Sequence, residues 1–164
     1  MDRVGTGWRI ERCLITDPDA ARLVEEVQLE YVARYGSRDE TPLAPGYFEA
    51  PVGGFFVGYT DGTAVATGAW RRRQDVEALG SNQTAEIKRM YVAPTGRGTG
   101  RARAMLAHLE STAAEAGAEV MILETGTEQP EALALYASAG YEPIPGFGFY
   151  KDSPLNRCLA RRLV

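Results

Sequence analysis

The chain has 164 residues, of which 45% are hydrophobic and 24% charged, and its formal net charge is −4. This length supports one hydrophobic core, so we expect a single domain over residues 1–164, with the ordinary composition of a soluble globular protein rather than a disordered one. The acidic balance argues against nucleic-acid binding, since proteins of that class need a surplus of basic residues to displace counterions.

Cysteine and histidine are too sparse for a metal site. Cys13 and Cys158 have no C-x-x-C spacing, and His108 is the one imidazole available to them. Met1 is followed by polar residues, without an apolar run long enough for a signal peptide or a membrane span. We therefore expect a cytoplasmic protein with reduced thiols, no metal and no membrane partner.

Residues 8–15 alternate in polarity and predict a first strand. Asp17 and Pro18 are typical of a helix start, and the helix is expected to run to about Arg34, before Gly36. The acidic residues on and after this helix either attract a cationic amine or form a solvated face: Glu25, Glu26, Glu30, Asp39 and Glu40.

Residues 37–51 contain three prolines and predict a mobile flap, with a short second helix around residues 47–49. Residues 54–59 and 63–71 flank Asp61-Gly62, a dipeptide typical of tight hairpins, and are predicted as strands two and three. The basic run 71–73 at the end of strand three is either a solvated rim or a contact for a phosphate group.

A strand–turn–helix unit dominates the middle of the chain. Residues 87–92 predict strand four, which must end before Pro94 and Gly96. A helix is expected to start close to Gly98, because apolar residues then recur at helical spacing: Ala102, Met105, Leu106, Leu109, Ala113 and Ala116.

The start of this helix predicts an anion site. The first amides of a helix have no internal acceptor, and Gly98 and Gly100 let a phosphate approach the main chain, with Arg97, Arg101 and Arg103 around it. A Walker loop is excluded because no lysine follows these glycines, and the G-x-G-x-x-G dinucleotide fingerprint also fails.

The last third predicts one more strand–helix unit and two closing strands. Residues 120–123 are a compact apolar run typical of a buried strand, followed by a polar link over residues 124–129. Residues 130–139 predict a helix that ends at Gly140, and residues 141–144 and 157–163 predict the last two strands.

Two motifs carry a family resemblance. Residues 97–102, R-G-T-G-R-A, resemble the R/Q-x-x-G-x-G/A signature of the GNAT superfamily of acyl-CoA N-acyltransferases. Residues 129–141 are similar to the N-x-x-A-x-x-L-Y-x-x-x-G-F element of the same superfamily, with Gln129 in place of asparagine and Tyr141 in place of phenylalanine.

The resemblance implies an α/β (α+β) GNAT fold. Its mixed, mostly antiparallel sheet of six to seven strands is splayed between strands four and five and flanked by about four helices. A pantetheine arm pairs with the strand edge that the splay exposes. The residues then expected to bind acetyl-CoA, the implied cosubstrate, are Met90, Tyr91, Val92, Arg97, Gly98, Thr99, Gly100, Arg101, Ala102, Arg103 and Gln129.

The same resemblance suggests the catalytic pair. Glu86 is the candidate general base, with an ordinary ion pair to Lys88 or Arg89 as the alternative and Glu124 as the reserve base. Tyr136 is the candidate acid for the leaving thiolate, with simple ring packing as the alternative. His108 is expected to be structural or exposed.

The sequence thus predicts an acetyl-CoA dependent N-acetyltransferase that acetylates a primary amine of a small molecule by direct transfer in a ternary complex. The alternatives are a protein or peptide N-acetyltransferase and a non-catalytic acyl-CoA binding module. Tyr35, Tyr47 and Phe48 are candidate acceptor contacts or loop packing, under a pocket roofed by residues 37–51 and 145–154. A homodimer is left open.

Overall fold

Seven strands form one continuous sheet in the computed structural model, which describes residues 7–163. The strands are β1 (Trp8–Cys13), β2 (Gly53–Thr60), β3 (Thr63–Arg72), β4 (Thr84–Val92), β5 (Val120–Gly126), β6 (Glu142–Pro143) and β7 (Asn156–Arg162). Their order is β1-β2-β3-β4-β5-β7-β6. Neighbouring strands are antiparallel except for the parallel pair β4 and β5, so the predicted mixed, mostly antiparallel sheet is confirmed.

Three α-helices lie within the described part of the chain: α1 (Pro18–Tyr35), α2 (Arg101–Glu115) and α3 (Pro130–Ser138). Pro18 occupies the first turn of α1, and Gly36 ends the helix at φ 82°, a left-handed conformation that glycine adopts without steric cost. The short helix expected around residues 47–49 is a 3-10 turn at Pro45–Phe48, and a second such turn spans Pro94–Gly96.

Apolar side chains cover both faces of the sheet. Leu23 and Val27 of α1 pack with Phe55 and Val57 on one face. On the other face, α2 and α3 pack over a larger set: Phe56, Trp70, Ile87, Met105, Leu106, Leu109, Met121, Leu123 and Tyr136. Because strand side chains alternate between faces, consecutive residues such as Phe55 and Phe56 enter opposite cores.

The hairpin between β2 and β3 has the predicted turn. Asp61 and Gly62 both have positive φ, 51° and 83°, which matches the twist of the flanking strands. β3 also pairs with β4 on its other side. Trp70 of β3 is buried, and its Nε1 donates to Thr112 Oγ1 of α2.

The parallel strands β4 and β5 separate after a short contact. They pair only at Thr84 with Val120, Ala85 with Met121 and Glu86 with Ile122. Beyond Glu86 the strand β4 continues to Val92 and β5 continues to Gly126 without pairing each other. The predicted splay is therefore confirmed, and it leaves one edge of residues 87–92 without a strand partner.

Candidate active site

A bulge interrupts β4 beside the gap. Thr67 of β3 pairs with Tyr91 and Ala69 pairs with Lys88, so Gly68 alone faces two residues of β4, Arg89 and Met90. Arg89 has φ 53°, an unusual conformation for a residue with a side chain, and its carbonyl oxygen accepts the Thr67 hydroxyl at 2.7 Å. A bulge re-aims the following backbone groups, so those of Met90 to Val92 are turned relative to a regular strand.

The glycine-rich turn after β4 exposes a row of amides. Gly98 and Gly100 have φ of 80° and 77°, and a Cβ placed on either would meet no atom within 4 Å. Gly100 is the N-cap of α2, so the helix starts at Arg101, slightly later than predicted. Within residues 7–163 the amides of residues 98–103 have no hydrogen-bond acceptor, which gives this turn the donors that a pyrophosphate needs.

The three arginines of the motif surround this turn. Arg97 Nε donates to the Val92 carbonyl at 2.8 Å, and its Nη2 lies 2.9 Å from Glu30 Oε2 of α1. The Arg101 guanidinium lies 4.8 Å above the Trp8 ring, while Arg103 donates to Ser138 of α3. Positive charge is thus concentrated where the amides are unpaired.

A cavity of about 570 Å³ opens beside the start of β4. The segments after α1 and before β7 contribute to its lining, together with residues of strands β3 to β5. Its lining residues are Thr41, Pro42, Tyr47, Val52, Arg71, Arg72, Arg73, Asp75, Glu86, Glu124, Phe147, Gly148 and Phe149. We call it the acceptor cavity.

Glu86 is fully buried at the bottom of the acceptor cavity, in a cluster of cations. Its Oε1 accepts Arg71 Nε at 3.1 Å and Arg73 Nη1 at 2.7 Å, and Lys88 Nζ lies 3.3 Å from Oε2. The alternative interpretation, a solvent-facing acid paired with Lys88 or Arg89, is right about the pairing with Lys88 but wrong about exposure to solvent. The Arg89 side chain does not contact Glu86 and pairs with Asp39 instead.

The basic run 71–73 is not a solvated rim. The side chains of Arg71 and Arg73 are each only 13% exposed because both reach inward to Glu86. Arg72 donates to the Ala116 carbonyl at the C-terminal end of α2 and to Gln83. These arginines lie beside the start of β4, whereas the glycine-rich turn follows its end. A contact of this run with the 3′-phosphate of coenzyme A stays a prediction.

A second cavity, of about 250 Å³, lies at the gap between β4 and β5. Lys88 borders it from β4, and Glu124, Thr125 and Gly126 border it from β5. We call it the gap cavity. Glu124 and Thr41 line both cavities, so the two spaces border the same acid.

Glu124 is held by neighbours from three segments. Asn156 Nδ2 donates to Oε1 at 3.2 Å, and Lys88 Nζ lies 3.9 Å from Oε2. A Cβ on Gly148 would fall 2.3 Å from Oε2, so only glycine allows that loop to approach the carboxylate. Burial, with a smaller contribution from the nearby Glu86 charge and against the opposing effect of Lys88, raises the pKa of Glu124 above its ordinary value.

Tyr136 of α3 is buried and packs edge-on against Tyr141, with ring centroids 5.5 Å apart. Burial, followed by the nearby Tyr31 phenol, raises the pKa of Tyr136 well above its ordinary value. Tyr136 lines neither cavity, whereas Tyr31 of α1, which the sequence did not single out, lines the gap cavity together with Tyr35 and Tyr150. Burial is also the main reason that the pKa of Tyr31 is raised to about 12.

The remaining candidates divide between the two cavities. Gln129 and Tyr35 line the gap cavity and are joined by a 3.3 Å hydrogen bond from the Tyr35 hydroxyl to Gln129 Oε1. Tyr47 lines the acceptor cavity. Phe48 is buried against Phe55, so its role is loop packing and not acceptor contact. His108 packs edge-on against Phe56 at 4.5 Å, in agreement with a structural role.

Asp39 and Arg89 fasten the flap to the bulge. Arg89 Nη1 lies 2.6 Å from Asp39 Oδ2, and both side chains are largely buried. Sequence reasoning missed this pair because the two residues belong to distant segments, and the bulge that re-aims Arg89 is visible only in the folded chain.

Comparison with known proteins agrees with this geometry. The model of the acetyltransferase (GNAT) family matches residues 20–141. An IAA acetyltransferase of Azospirillum brasilense is 35% identical over 109 residues, which cover 66% of this chain and 67% of that protein. A crystal structure of a candidate acyl-CoA N-acyltransferase from Klebsiella pneumoniae has a TM-score of 0.74 and 25% identity, covering 99% of this chain and 100% of its own.

A structure from Salmonella typhimurium, a candidate acetyltransferase solved with its cofactor acetyl-CoA, has a TM-score of 0.68 at 18% identity and covers 97% of this chain and 95% of its own. The chain belongs to the GNAT family of acetyltransferases, and it is an acyltransferase. No helix within residues 7–163 is long and apolar enough to cross a bilayer. In the same residues no group of three or more histidine, cysteine or acidic side chains is arranged to hold a metal ion.

Proposed function

We propose that this enzyme transfers an acetyl group from acetyl-CoA to a primary amine of a small molecule, within a ternary complex. One observation carries the proposal: the acceptor cavity and the gap cavity both border Glu124, next to the edge of β4 that has no strand partner within residues 7–163. A row of amides without acceptors in the same residues follows the end of that strand. A donor bound along the gap and an amine bound in the acceptor cavity would meet at that carboxylate.

The donor is expected to bind through the main chain. Amides of residues 98–103 would hold the pyrophosphate, with Arg97, Arg101 and Arg103 supplying charge around it. The pantetheine arm would pair with the free edge of β4 near Met90, Tyr91 and Val92 and pass Gln129. An amide turned by the bulge would then bind the thioester carbonyl oxygen, an effect of about 3 kcal/mol in comparable sites.

Acetyl transfer requires a proton acceptor. The amine nitrogen forms a bond to the carbonyl carbon as the C–S bond breaks, and the nitrogen gives up a proton. Glu86 and Glu124 are the candidates. The contacts favour Glu124, because Oε1 of Glu86 already accepts two arginines and Lys88 stands beside Oε2, whereas Glu124 borders both cavities. Glu86 would then organise the cations of the acceptor cavity.

The leaving thiolate takes a proton from a phenol. Tyr136 remains our candidate, because its raised pKa keeps the hydroxyl protonated at neutral pH. Tyr31 is the alternative, since it lines the gap cavity directly.

A small acceptor is favoured over a protein chain because the acceptor cavity, at about 570 Å³, has the size of a small-molecule pocket. Tyr47 of the flap and Phe147 and Phe149 of the segment before β7 contribute aromatic rings to its lining. The proposal is tested by incubating the protein with acetyl-CoA and a panel of amines, amino acids and peptides, and by following thiol release and N-acetyl products by mass spectrometry. Acetylation of peptides alone, or coenzyme A binding without turnover on any acceptor, would contradict it.

A further inference from the structure

Arg71 borders the acceptor cavity with two hydrogen-bond donors that have no acceptor within residues 7–163. Its Nε donates to Glu86, but within residues 7–163 its two terminal nitrogens, Nη1 and Nη2, have no hydrogen-bond partner. The side chain is 13% exposed and borders the cavity. A guanidinium with both terminal nitrogens available matches a carboxylate, which accepts two parallel hydrogen bonds.

The other two arginines of the cavity are already engaged. Arg73 uses Nε and Nη2 on Asp75 and Nη1 on Glu86. Arg72 uses its terminal nitrogens on the Ala116 carbonyl and Gln83. The acids of the cavity also have cationic neighbours, since Asp75 pairs with Arg73 and Glu86 with three cations. Among the three arginines, Arg71 is therefore the one whose two terminal nitrogens, here called its fork, remain available to a ligand.

The fork is held in a fixed plane. The Arg71 guanidinium lies 4.8 Å from the centroid of the Tyr47 ring, and Glu86 fixes its Nε. This rigidity reduces the entropy lost when an anion binds. Tyr47, Phe147 and Phe149 also offer an apolar wall next to the charge.

The span from Arg71 to Glu124 suits an amino acid. Arg71 contacts Glu86 at 3.1 Å, Lys88 lies 3.3 Å from Glu86, and Lys88 lies 3.9 Å from Glu124. Arg71 belongs to β3 and Glu124 to β5, and with one strand between them these two strands lie roughly 10 Å apart. An amino acid fits between them when its carboxylate and its amine each lie about 3 Å from the matching side chain.

We infer that the acceptor is an amine that also carries a carboxylate, an amino acid with an apolar or aromatic side chain, and that Arg71 binds the carboxylate while the amine faces Glu124. This inference rests on the proposed function and narrows its substrate class. It also disfavours the acids on and after α1 as the site that attracts a simple cationic amine, because Glu25, Glu30 and Asp39 are already paired with arginines.

The test compares acceptors that differ only by the carboxylate. Wild-type protein is expected to acetylate L-phenylalanine with a kcat/KM at least about ten-fold above that for phenethylamine, the size of effect that charge-assisted hydrogen bonds give. Arg71→Gln should remove that preference. Arg73→Gln is the matched control: it deletes an equivalent contact to Glu86 without deleting a free fork, so it should change kcat/KM for both acceptors by the same factor.

Binding of the two products provides a readout that needs no turnover. N-acetyl-L-phenylalanine should bind the wild type at least about ten-fold more tightly than N-phenethylacetamide, and Arg71→Gln should abolish the difference. Equal binding of the two products, or a preference that survives in Arg71→Gln, overturns the inference. Acetylation of phenethylamine without any carboxylate preference overturns it while leaving the proposed function intact, whereas tight product discrimination without turnover on any amine supports Arg71 and contradicts the proposed function.

Discussion

Lys88 Nζ lies 3.9 Å from Glu124 Oε2, across the gap that opens when β4 leaves β5. Lys88 is only 8% exposed and also lies 3.3 Å from Glu86, so two carboxylates on adjacent strands share one cation. The pKa of Glu124 therefore depends on the charges of Glu86 and Lys88. In the proposed reaction Glu124 is the base, and Glu86 organises the cations around it.

The pH dependence of kcat/KM should report this coupling. With Glu124 as the base, activity requires its ionised form, so the acid limb should lie above the pH expected for an ordinary glutamate. Glu86→Gln removes a negative neighbour that raises the pKa of Glu124, and should shift the limb to lower pH. Lys88→Met removes a cation that lowers it, and should shift the limb to higher pH.

The same profiles distinguish the two acids. Glu124→Gln should abolish the limb together with most of the activity. If Glu86→Gln abolishes it and Glu124→Gln merely displaces it, Glu86 is the base, as the sequence predicted.

Gly100→Ala should weaken coenzyme A binding at least about ten-fold, since an L residue at φ 77° costs about 1 kcal/mol and its Cβ enters the open face where the pyrophosphate is expected. Calorimetric titration with coenzyme A measures this loss. Gly117→Ala is the matched control, because Gly117 also has positive φ, 97°, but lies at the far end of α2. Equal losses of affinity in both variants would show that the effect is only structural.

Tyr136→Phe should lower kcat by about ten-fold or more, the usual size of a lost acid. Because its pKa is raised, Tyr136 should produce no alkaline limb below the ordinary tyrosine range. Tyr141→Phe serves as control: its hydroxyl donates to Glu110 Oε2 at 2.7 Å, so the change should lower stability while kcat is retained. A large loss of kcat in Tyr31→Phe together with normal kcat in Tyr136→Phe would transfer the acid role to Tyr31.

Asp39→Asn should destabilise the fold by about 3–5 kcal/mol, because the buried Arg89 charge loses its partner. Burial acts to raise the pKa of Asp39, but Lys88 and Arg89 outweigh it and hold the pKa below its ordinary value. The stabilisation is therefore present above the pKa of the unfolded chain and is lost as the pH falls through the lower folded-state pKa. Urea unfolding at neutral and acid pH should show a smaller acid loss in Asp39→Asn than in the wild type.

Glu25→Gln removes the exposed pair with Arg38 and is the control for that comparison; it should change stability far less. Similar destabilisation in both variants would mean that the Asp39 pair does not anchor the flap.

The strand–turn–helix unit could be predicted because its signals are local. Apolar residues at alternate positions predict β4, and Pro94 and Gly96 end it. Apolar residues at helical spacing, Met105 among them, predict α2. Polar residues 124–126 were predicted as a link, yet they continue β5, because Cys158, Arg157 and Asn156 of β7 pair with them. That pairing depends on a strand about thirty residues later, which local polarity does not reveal.

The site was predicted less completely, for the same reason. Glu86 and Glu124 were recognised as acids, but their different surroundings come from Arg71, Arg73 and Asn156, which reach them only in the folded chain. Phe48 was considered as an acceptor contact because it is aromatic and lies in the flap. Its burial against Phe55 depends on how the flap folds back onto β2.

The central claim concerns where the donor binds, and a crystal structure with coenzyme A tests it most directly. We predict pyrophosphate oxygens within hydrogen-bond distance of the amides of residues 98–103 and a pantetheine arm lying along residues 90–92, with its sulfur near Glu124. A coenzyme bound elsewhere, or a gap closed by β4 pairing with β5 along its whole length, would contradict the account.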